Sequence, residues 1–392
     1  MNVIYLAGGC FWGTQHFMSL LDGVMATVVG YANGNLPDPT YNQVYTDETG
    51  HVECVKVEYD RELISLPTLC RLFFRSIDPL LLNRQGDDIG TRYRTGIYWT
   101  DEADRDTVNE VYAEIQKIYE SALAVEKGPL ECFYPAEEYH QKYLIKNPDG
   151  YCHLLPSLMK TAQTYSRIIQ ELRKCADPQK KIVLQSFFKT GKGEYGEGDR
   201  FLGVVVPDNR KVARSFKDVS LEVLEWLLES EWHECRLCAL IILIEKYRNN
   251  PAEAVSFYLS HMKGINNWDL VDLSAPYILG DHLSRQNDRM ILYQLAASED
   301  MWEQRIAIVS TLMLIRKGMY EDTLKIAEQF LKTRHDLIQK ASGWMLREVG
   351  KRDNDRLSAF LEKYAREMPR TMLRYAIEKL DPESRKYFMT MK

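Results

Sequence analysis

The sequence predicts a multi-domain chain, an α+β two-layer domain followed by an all-α superhelical solenoid, and three observations carry that prediction. A chain of 392 residues is too long for one ordinary core, so two domains are expected. Strand and helix signals alternate only as far as Asn147-Pro148-Asp149-Gly150. Beyond about Thr164 helix follows helix, with a repeat of 33–36 residues. The expected boundaries are 1–155 for the first domain, 156–164 for a linker and 165–392 for the second.

Residues 3–7 (VIYLA) read as a buried strand, Gly8-Gly9 as a turn, and Gly13 onward as a helix rich in apolar residues. Residues 52–59 (VECVKVEY) alternate apolar and polar side chains, the mark of a half-buried strand. Residues 66–75 and 102–122 read as helices, and 95–99 (TGIYW) as a further strand. Packing such helices on a sheet gives a two-layer domain. In the second part Leu237, Leu240, Ile241 and Ile244 stand at i, i+3, i+4 and i+7, and Pro251 closes the segment. Arg236, Asp272, Arg305, Lys340 and Arg374 hold one phase in five similar helices, 36, 33, 35 and 34 residues apart. A period of that size means stacked helix pairs, each burying its face on the next. All five residues are therefore expected on one side of the superhelix.

Hydrophobic residues make up 45% of the chain and charged residues 27%, which excludes wholesale disorder. No apolar run approaches the length of a membrane span and the first residues carry no basic segment, so a cytoplasmic location without membrane association is expected. There the eight cysteines stay mostly reduced, and any disulfide is transient and catalytic. The net charge of −6 is unevenly split. Residues 1–164 hold 13 Lys+Arg against 23 Asp+Glu, a net −10, and residues 165–392 hold 37 against 33, a net +4. Opposite signs fit two domains with different partners.

Cys10 falls between a strand, a Gly turn and a helix start, where the helix dipole and free N–H groups favour a thiolate. Phe11 and Trp12 beside it supply apolar surface. A cysteine in a turn is also a common structural residue, and its surroundings decide between the two readings. GCFWG (9–13), Tyr41, GHVE (50–53), NRQGDDIGTRYRTGIY (83–98), AEEYHQKYL (136–144) and NPDGYCHL (147–154) follow one another in the chain. Taken together, these motifs resemble the peptide methionine sulfoxide reductases of the A type, over about residues 1–155.

The resemblance implies a ferredoxin-like domain that reduces methionine S-sulfoxide in proteins or as the free amino acid. It implies Cys10 as nucleophile and Glu53 as proton donor, held protonated by an apolar setting. Tyr41 and Tyr93 would donate hydrogen bonds to the sulfoxide oxygen, Asp88 would order the pocket, and Phe11 and Trp12 would hold the methyl group. Cys10 leaves the reaction as a sulfenic acid, and Cys152 resembles the recycling cysteine that converts it to a disulfide. No bound cofactor is implied; thioredoxin or another dithiol is the reductant. Cys175, past a helix start, sits less well in such a relay. Cys54, Cys70 and Cys132 read as core residues, and His140 as a structural hydrogen-bonding residue. No His/Cys spacing suits a metal.

Two motifs of the second part match known signatures without their context. GKGEYG (191–196) fits GxGxxG but follows no strand, and Cys235-Arg236-Leu237-Cys238 opens an amphipathic helix, where packing explains it. Cations repeated along one solenoid face suit a phosphate backbone and equally suit inter-repeat ion pairs. Trp268 lies one turn before Asp272 and Trp344 one turn after Lys340, which favours the first. KTGKGEYGEGDRFLGVVVP (189–207), NNWDLVD (266–272), MWEQRIAIV (301–309) and QKASGWMLREVGK (339–351) resemble the AlkD-like DNA alkylation repair family of HEAT-like DNA glycosylases, from about Gln163 onward. The resemblance implies binding of double-stranded DNA and excision of cationic alkylated purines. Asp272 would stabilise the sugar cation and position water, Trp268 and Trp344 would pack on the deoxyribose, and Arg305 would contact the backbone. Two alternatives stand beside this bifunctional reading: a solenoid that binds DNA without excising, and a protein-interaction scaffold.

Overall fold

β1 (Asn2–Gly8) is a run of apolar residues because it lies near the centre of a six-stranded sheet and is paired on both edges. In the computed structural model, which describes residues 1–391, β1 leads through α1 (Phe11–Ser19) to β2 (Val24–Ala32), and α2 (Tyr41–Tyr45) precedes β3 (Val52–Tyr59). Next come α3 (Leu66–Arg75), the two-residue strands β4 (Arg84–Gln85) and β5 (Asp88–Ile89), and β6 (Thr95–Trp99). α4 (Ala103–Gln116), β7 (Glu126–Pro129), β8 (Phe133–Pro135) and α5 (Tyr143–Lys146) complete this part. The sheet order is β7-β6-β1-β3-β2-β8, with β6 and β7 parallel and every other neighbour antiparallel. Its middle four strands, β6-β1-β3-β2, with α1 and α3 each crossing over one strand, make the split βαβ arrangement of ferredoxin-like folds.

Register decides which strand residues share a face of the sheet. Leu6 pairs with Val55 and Ile4 with Val57, so Glu53 shares their face, and Tyr31 pairs directly with Glu53. The half-buried reading of 52–59 needs correction at its start. Val52 and Cys54, on the other face, are buried with Tyr5, Ala7, Ala32 and Tyr98, and Leu130 and Phe133 close over them. Only Lys56 and Glu58 keep the exposed character that the alternation predicts. The helix expected over 102–122 ends at Gln116, whose side chain bonds the Tyr119 and Ser121 carbonyls and the Leu123 N–H, so the chain turns there.

The chain divides into two compact units, Met1–Glu171 and Leu172–Lys392. Residues 156–164, expected as a linker, are helical instead. Pro156 opens α6 (Pro156–Lys174), and a buried stripe of Ala162, Tyr165, Ile168, Ile169 and Leu172 has helical spacing.

The second unit contains α7 (Pro178–Phe187), α8 (Val206–Ser215), α9 (Leu221–Leu228), α10 (His233–Asn249), α11 (Pro251–Ser260) and α12 (Trp268–Ser274). A π-turn at Pro276–Gly280 leads to α13 (Asp281–Leu283), α14 (Met290–Ala296), α15 (Met301–Arg316) and α16 (Glu321–Gln329). α17 (Asp336–Gly350), α18 (Asn354–Tyr364), α19 (Arg370–Ala376) and α20 (Pro382–Thr390) end it. α10, α12, α15, α17 and α19 pack in succession, and each carries one of the five phase-matched residues. α11, α14, α16 and α18 pack against that row as the second layer. Close approach along the row is visible at Gly343, where a Cβ would stand 2.4 Å from the Met372 carbonyl oxygen. Cys235 and Cys238 are fully buried in α10, as packing residues are. No described helix is long and apolar enough to cross a membrane.

Candidate functional site

Cys10 is the N-cap of α1, reached from β1 through Gly9 at φ +79°. Any side chain at Gly9 would be strained, and its Cβ would stand 2.5 Å from that of Gln85. Cys10 is 5% exposed. The Trp12 and Gly13 N–H groups draw its thiol toward ionisation, as a helix start should, but burial outweighs them and Glu53 adds to it, leaving the pKa well above the ordinary range. The expected thiolate is therefore not the resting form.

Glu53 is 1% exposed on β3, and its Oε2 accepts the Phe11 N–H at 3.0 Å. Burial raises its pKa to about 8 despite that bond, so the carboxyl is mostly protonated at neutral pH. Once it is neutral, its electrostatic pressure on Cys10 disappears. Burial and the nearby Glu53 also raise the Tyr41 phenol, and they raise Tyr93 to about 12, so both keep their protons. The Arg92 guanidinium covers the Tyr93 ring at 4.4 Å and bonds Asp47 at 2.8 Å.

Glu137, named in a motif but given no role from the sequence, fixes the tyrosine side of the site. Its two oxygens accept the Tyr31 hydroxyl at 2.7 Å and the Tyr41 N–H at 2.9 Å. Burial opposes its ionisation, yet these bonds hold its pKa below the usual value. Phe11 is buried beside Tyr31, with ring centroids 6.1 Å apart. Trp12 stacks on Tyr143 at 3.8 Å, and its Nε1–H donates to His140 Nδ1 at 3.1 Å. His140 therefore holds the indole in place.

Asp88 accepts the Tyr151 hydroxyl at 3.0 Å, which ties the hairpin β4–β5 to the segment carrying Cys152. Cys152 is half-buried, with its Sγ 3.2 Å from where a Gly13 Cβ would stand, and no described cysteine is in a disulfide. Cys175 is exposed just beyond α6. The ligand atoms of Cys10, Asp88 and His153 lie within 4.8 Å of one another, the one such group able to share a cation among the described residues. Sequence spacing gives no hint of it. An ion there would occupy the Cys10 thiol.

In the second unit the phase-matched residues divide. Arg305 grips Asp272 with Nε and Nη2 at 3.0 and 2.8 Å and gives Nη1 to the Leu337 carbonyl at 2.6 Å. Arg236 is buried against Asp199 at 2.6 Å. Asp199 also meets His233, which donates its other nitrogen to Asp269 at 2.8 Å. Lys340 bonds Asp336 one turn before it, and Arg374 is exposed. Burial raises the pKa of Asp272 against the pull of Arg305. Trp268 opens α12 under an Asn267 cap and stacks on Phe188 at 5.3 Å, with the exposed Phe187 against its edge at 5.7 Å. Tyr195, inside the discounted GKGEYG segment, has its ring 6.2 Å from that of Trp302. Trp344 is half-buried on α17, two helices along the row from Asp272.

The peptide methionine sulfoxide reductase family pattern matches residues 2–172, and that of the DNA alkylation repair enzymes matches residues 168–380. The peptide methionine sulfoxide reductase MsrA of Clostridium acetobutylicum is 50% identical over 160 residues, 41% of this chain and 99% of that protein. The chain belongs to both families. Among solved structures, reduced Mxr1 of Saccharomyces cerevisiae is 38% identical over 39% of this chain and 91% of its own, with a TM-score of 0.38. A predicted DNA alkylation repair enzyme of Enterococcus faecalis is 18% identical over 53% of this chain and 97% of its own, with a TM-score of 0.44. The reductase-family unit thus contains Cys10, Glu53, Tyr41, Tyr93 and Cys152, and the repair-family unit contains Asp272, Arg305, Trp268 and Trp344.

Proposed function

We propose that the first unit reduces methionine S-sulfoxide, in proteins or as the free amino acid, and that Cys10 and Glu53 carry the chemistry. The observation behind this is a proton-bearing Glu53 carboxyl bonded to the amide next to the Cys10 thiol. Glu53 gives its proton to the sulfoxide oxygen, with Tyr41 and Tyr93 donating hydrogen bonds to that oxygen, while Cys10 attacks the sulfur. Phe11 and Trp12 hold the methyl group, and Asp88 orders the pocket. The oxygen leaves with Cys10, giving methionine and a sulfenic acid. Cys152 then closes a disulfide on Cys10, and a dithiol such as thioredoxin reduces it. Conversion of a methionine sulfoxide peptide to its methionine form, lost in Cys10→Ser, tests the assignment.

For the second unit the reading is binding of double-stranded DNA with excision of cationic alkylated purines. Trp268 and Trp344 pack on the lesion's sugar, Asp272 faces the developing sugar cation, and Arg305 contacts the backbone once it releases Asp272. A lesion that is already cationic needs little help from an acid, so one carboxylate and aromatic walls suffice. The bidentate hold of Arg305 on Asp272 supports a second reading, in which the solenoid binds duplex DNA and excises nothing. Release of methylated purines from alkylated DNA, compared between wild type and Asp272→Asn, separates them. Duplex affinity that does not weaken with salt favours a protein scaffold instead.

A further inference from the structure

His153 is a titratable group at the reductase site that the reading above leaves without a task. It follows Cys152 directly, and its imidazole packs on Gly13. A Cβ on Gly13 would stand 2.9 Å from its Cε1 and 3.0 Å from its Nδ1, and one on Gly86 would stand 3.7 Å from its Cβ. The same point on Gly13 is 3.2 Å from Cys152 Sγ, so thiol and imidazole share the first turn of α1. A His153 ring nitrogen, Cys10 Sγ and an Asp88 carboxylate oxygen lie within 4.8 Å of one another. Neither ring nitrogen makes a hydrogen bond of normal geometry, although the Gly8 carbonyl is near. Burial keeps the imidazole neutral by lowering its pKa, and burial raises the Cys152 thiol.

We infer that His153 carries the proton in the resolving step that joins Cys152 to Cys10. The inference rests on the reductase reading. In that step the Cys152 thiol and the Cys10 sulfenic acid become a disulfide and one water. The S–S bond forms as the Cys10 S–O bond breaks; the Cys152 sulfur is oxidised and the Cys10 sulfur reduced. Two obstacles are chemical. A buried thiol is a poor nucleophile until it loses its proton, and hydroxide is a poor leaving group until it gains one. A neutral imidazole beside both sulfurs meets the two needs with one proton, taken from Cys152 and passed to the departing oxygen. Asp88 stabilises the imidazolium in between. A side chain at Gly13 would push the ring out of that position.

The test is a single turnover of the full chain with a methionine sulfoxide peptide, following formation of the reduced peptide and thiol loss separately in wild type, His153→Gln and His153→Ala. Each chain forms about one reduced peptide in all three. Loss of the second thiol slows roughly tenfold or more in both variants, loses its decline on the acid side of neutrality, and partly recovers in His153→Ala when imidazole is added. Wild-type rates of thiol loss in the variants overturn the inference. A slowed step that keeps the wild-type pH profile and ignores imidazole also overturns it, because that pattern belongs to packing. A wild-type chain that forms no reduced peptide overturns the reductase reading itself.

Discussion

The Phe11 N–H donates to Glu53 Oε2 at 3.0 Å, across 42 residues of sequence, and so fixes a buried carboxyl against the first turn of the helix that Cys10 caps. Strand register puts Glu53 on the α1 side of the sheet, and burial does the rest by keeping it protonated.

That burial carries a cost in stability, and its sign can be worked out. The folded-state pKa of about 8 lies above the value near 4.3 of an unfolded glutamate, so the folded chain binds the proton more tightly. The group's contribution is most favourable below pH 4 and is lost as pH rises from about 4 to 8. At pH 7.5 the loss is on the order of a few kcal/mol. Glu53→Gln, which keeps the shape without the charge, should therefore melt several degrees above wild type at pH 7.5, by about 2–4 °C per kcal/mol. The gap should close near pH 4 in a thermal scan of the first unit's transition. A Glu53→Gln chain no more stable than wild type at pH 7.5 contradicts the buried, protonated assignment.

The cysteine pair makes a different prediction. Cys152→Ser should release about one methionine per chain and then stall with thioredoxin as reductant, whereas Cys10→Ser should release none. Quantifying methionine per chain by mass spectrometry checks both. Steady turnover by Cys152→Ser with thioredoxin would remove Cys152 from the recycling role.

Arg305 and Asp272 should behave unequally on substitution. Arg305→Ala leaves Asp272 half-buried without its partner and should destabilise the second unit by about 3 kcal/mol, more than Asp272→Asn, which keeps a hydrogen-bonding group. Denaturant unfolding of the two variants measures this. Equal stability would mean that the pair contributes little, and Arg305 would then be a free candidate for phosphate contact.

If the repair-family unit grips duplex DNA, its affinity should fall steeply as salt rises from about 50 to 200 mM. Lys340→Ala and Arg374→Ala should each flatten that slope by about one ion, because these two are not buried in ion pairs. Fluorescence anisotropy of a labelled duplex gives the slope, and an affinity independent of salt contradicts a backbone interface.

Much of this was legible in the residues. Cys10, Glu53, Tyr41 and Tyr93 carry motifs, and the repeat period marks the row of helices down to the residue each helix contributes. What escaped the sequence depends on long-range packing. Glu137 reads as an ordinary acidic residue until Tyr31 and Tyr41 are seen to share its two oxygens. The thiolate expected at Cys10 follows from local geometry alone, whereas burial, which no local pattern reports, reverses it. His153 and Asp88 are 65 residues apart, and the β4–β5 hairpin, tied to Tyr151 through Asp88, brings them together. Arg236 and Arg305 share a phase with Lys340, but their acidic partners lie 37 and 33 residues away.

The most direct test is the rate of methionine formation in a single turnover, from pH 5 to 10, in wild type and Glu53→Gln. Proton donation by Glu53 predicts a wild-type rate that declines above about pH 8. It also predicts a Glu53→Gln rate lower by roughly a hundredfold or more, with that decline gone. A Glu53→Gln chain that forms methionine at the wild-type rate, or one that keeps the same decline above pH 8, contradicts it.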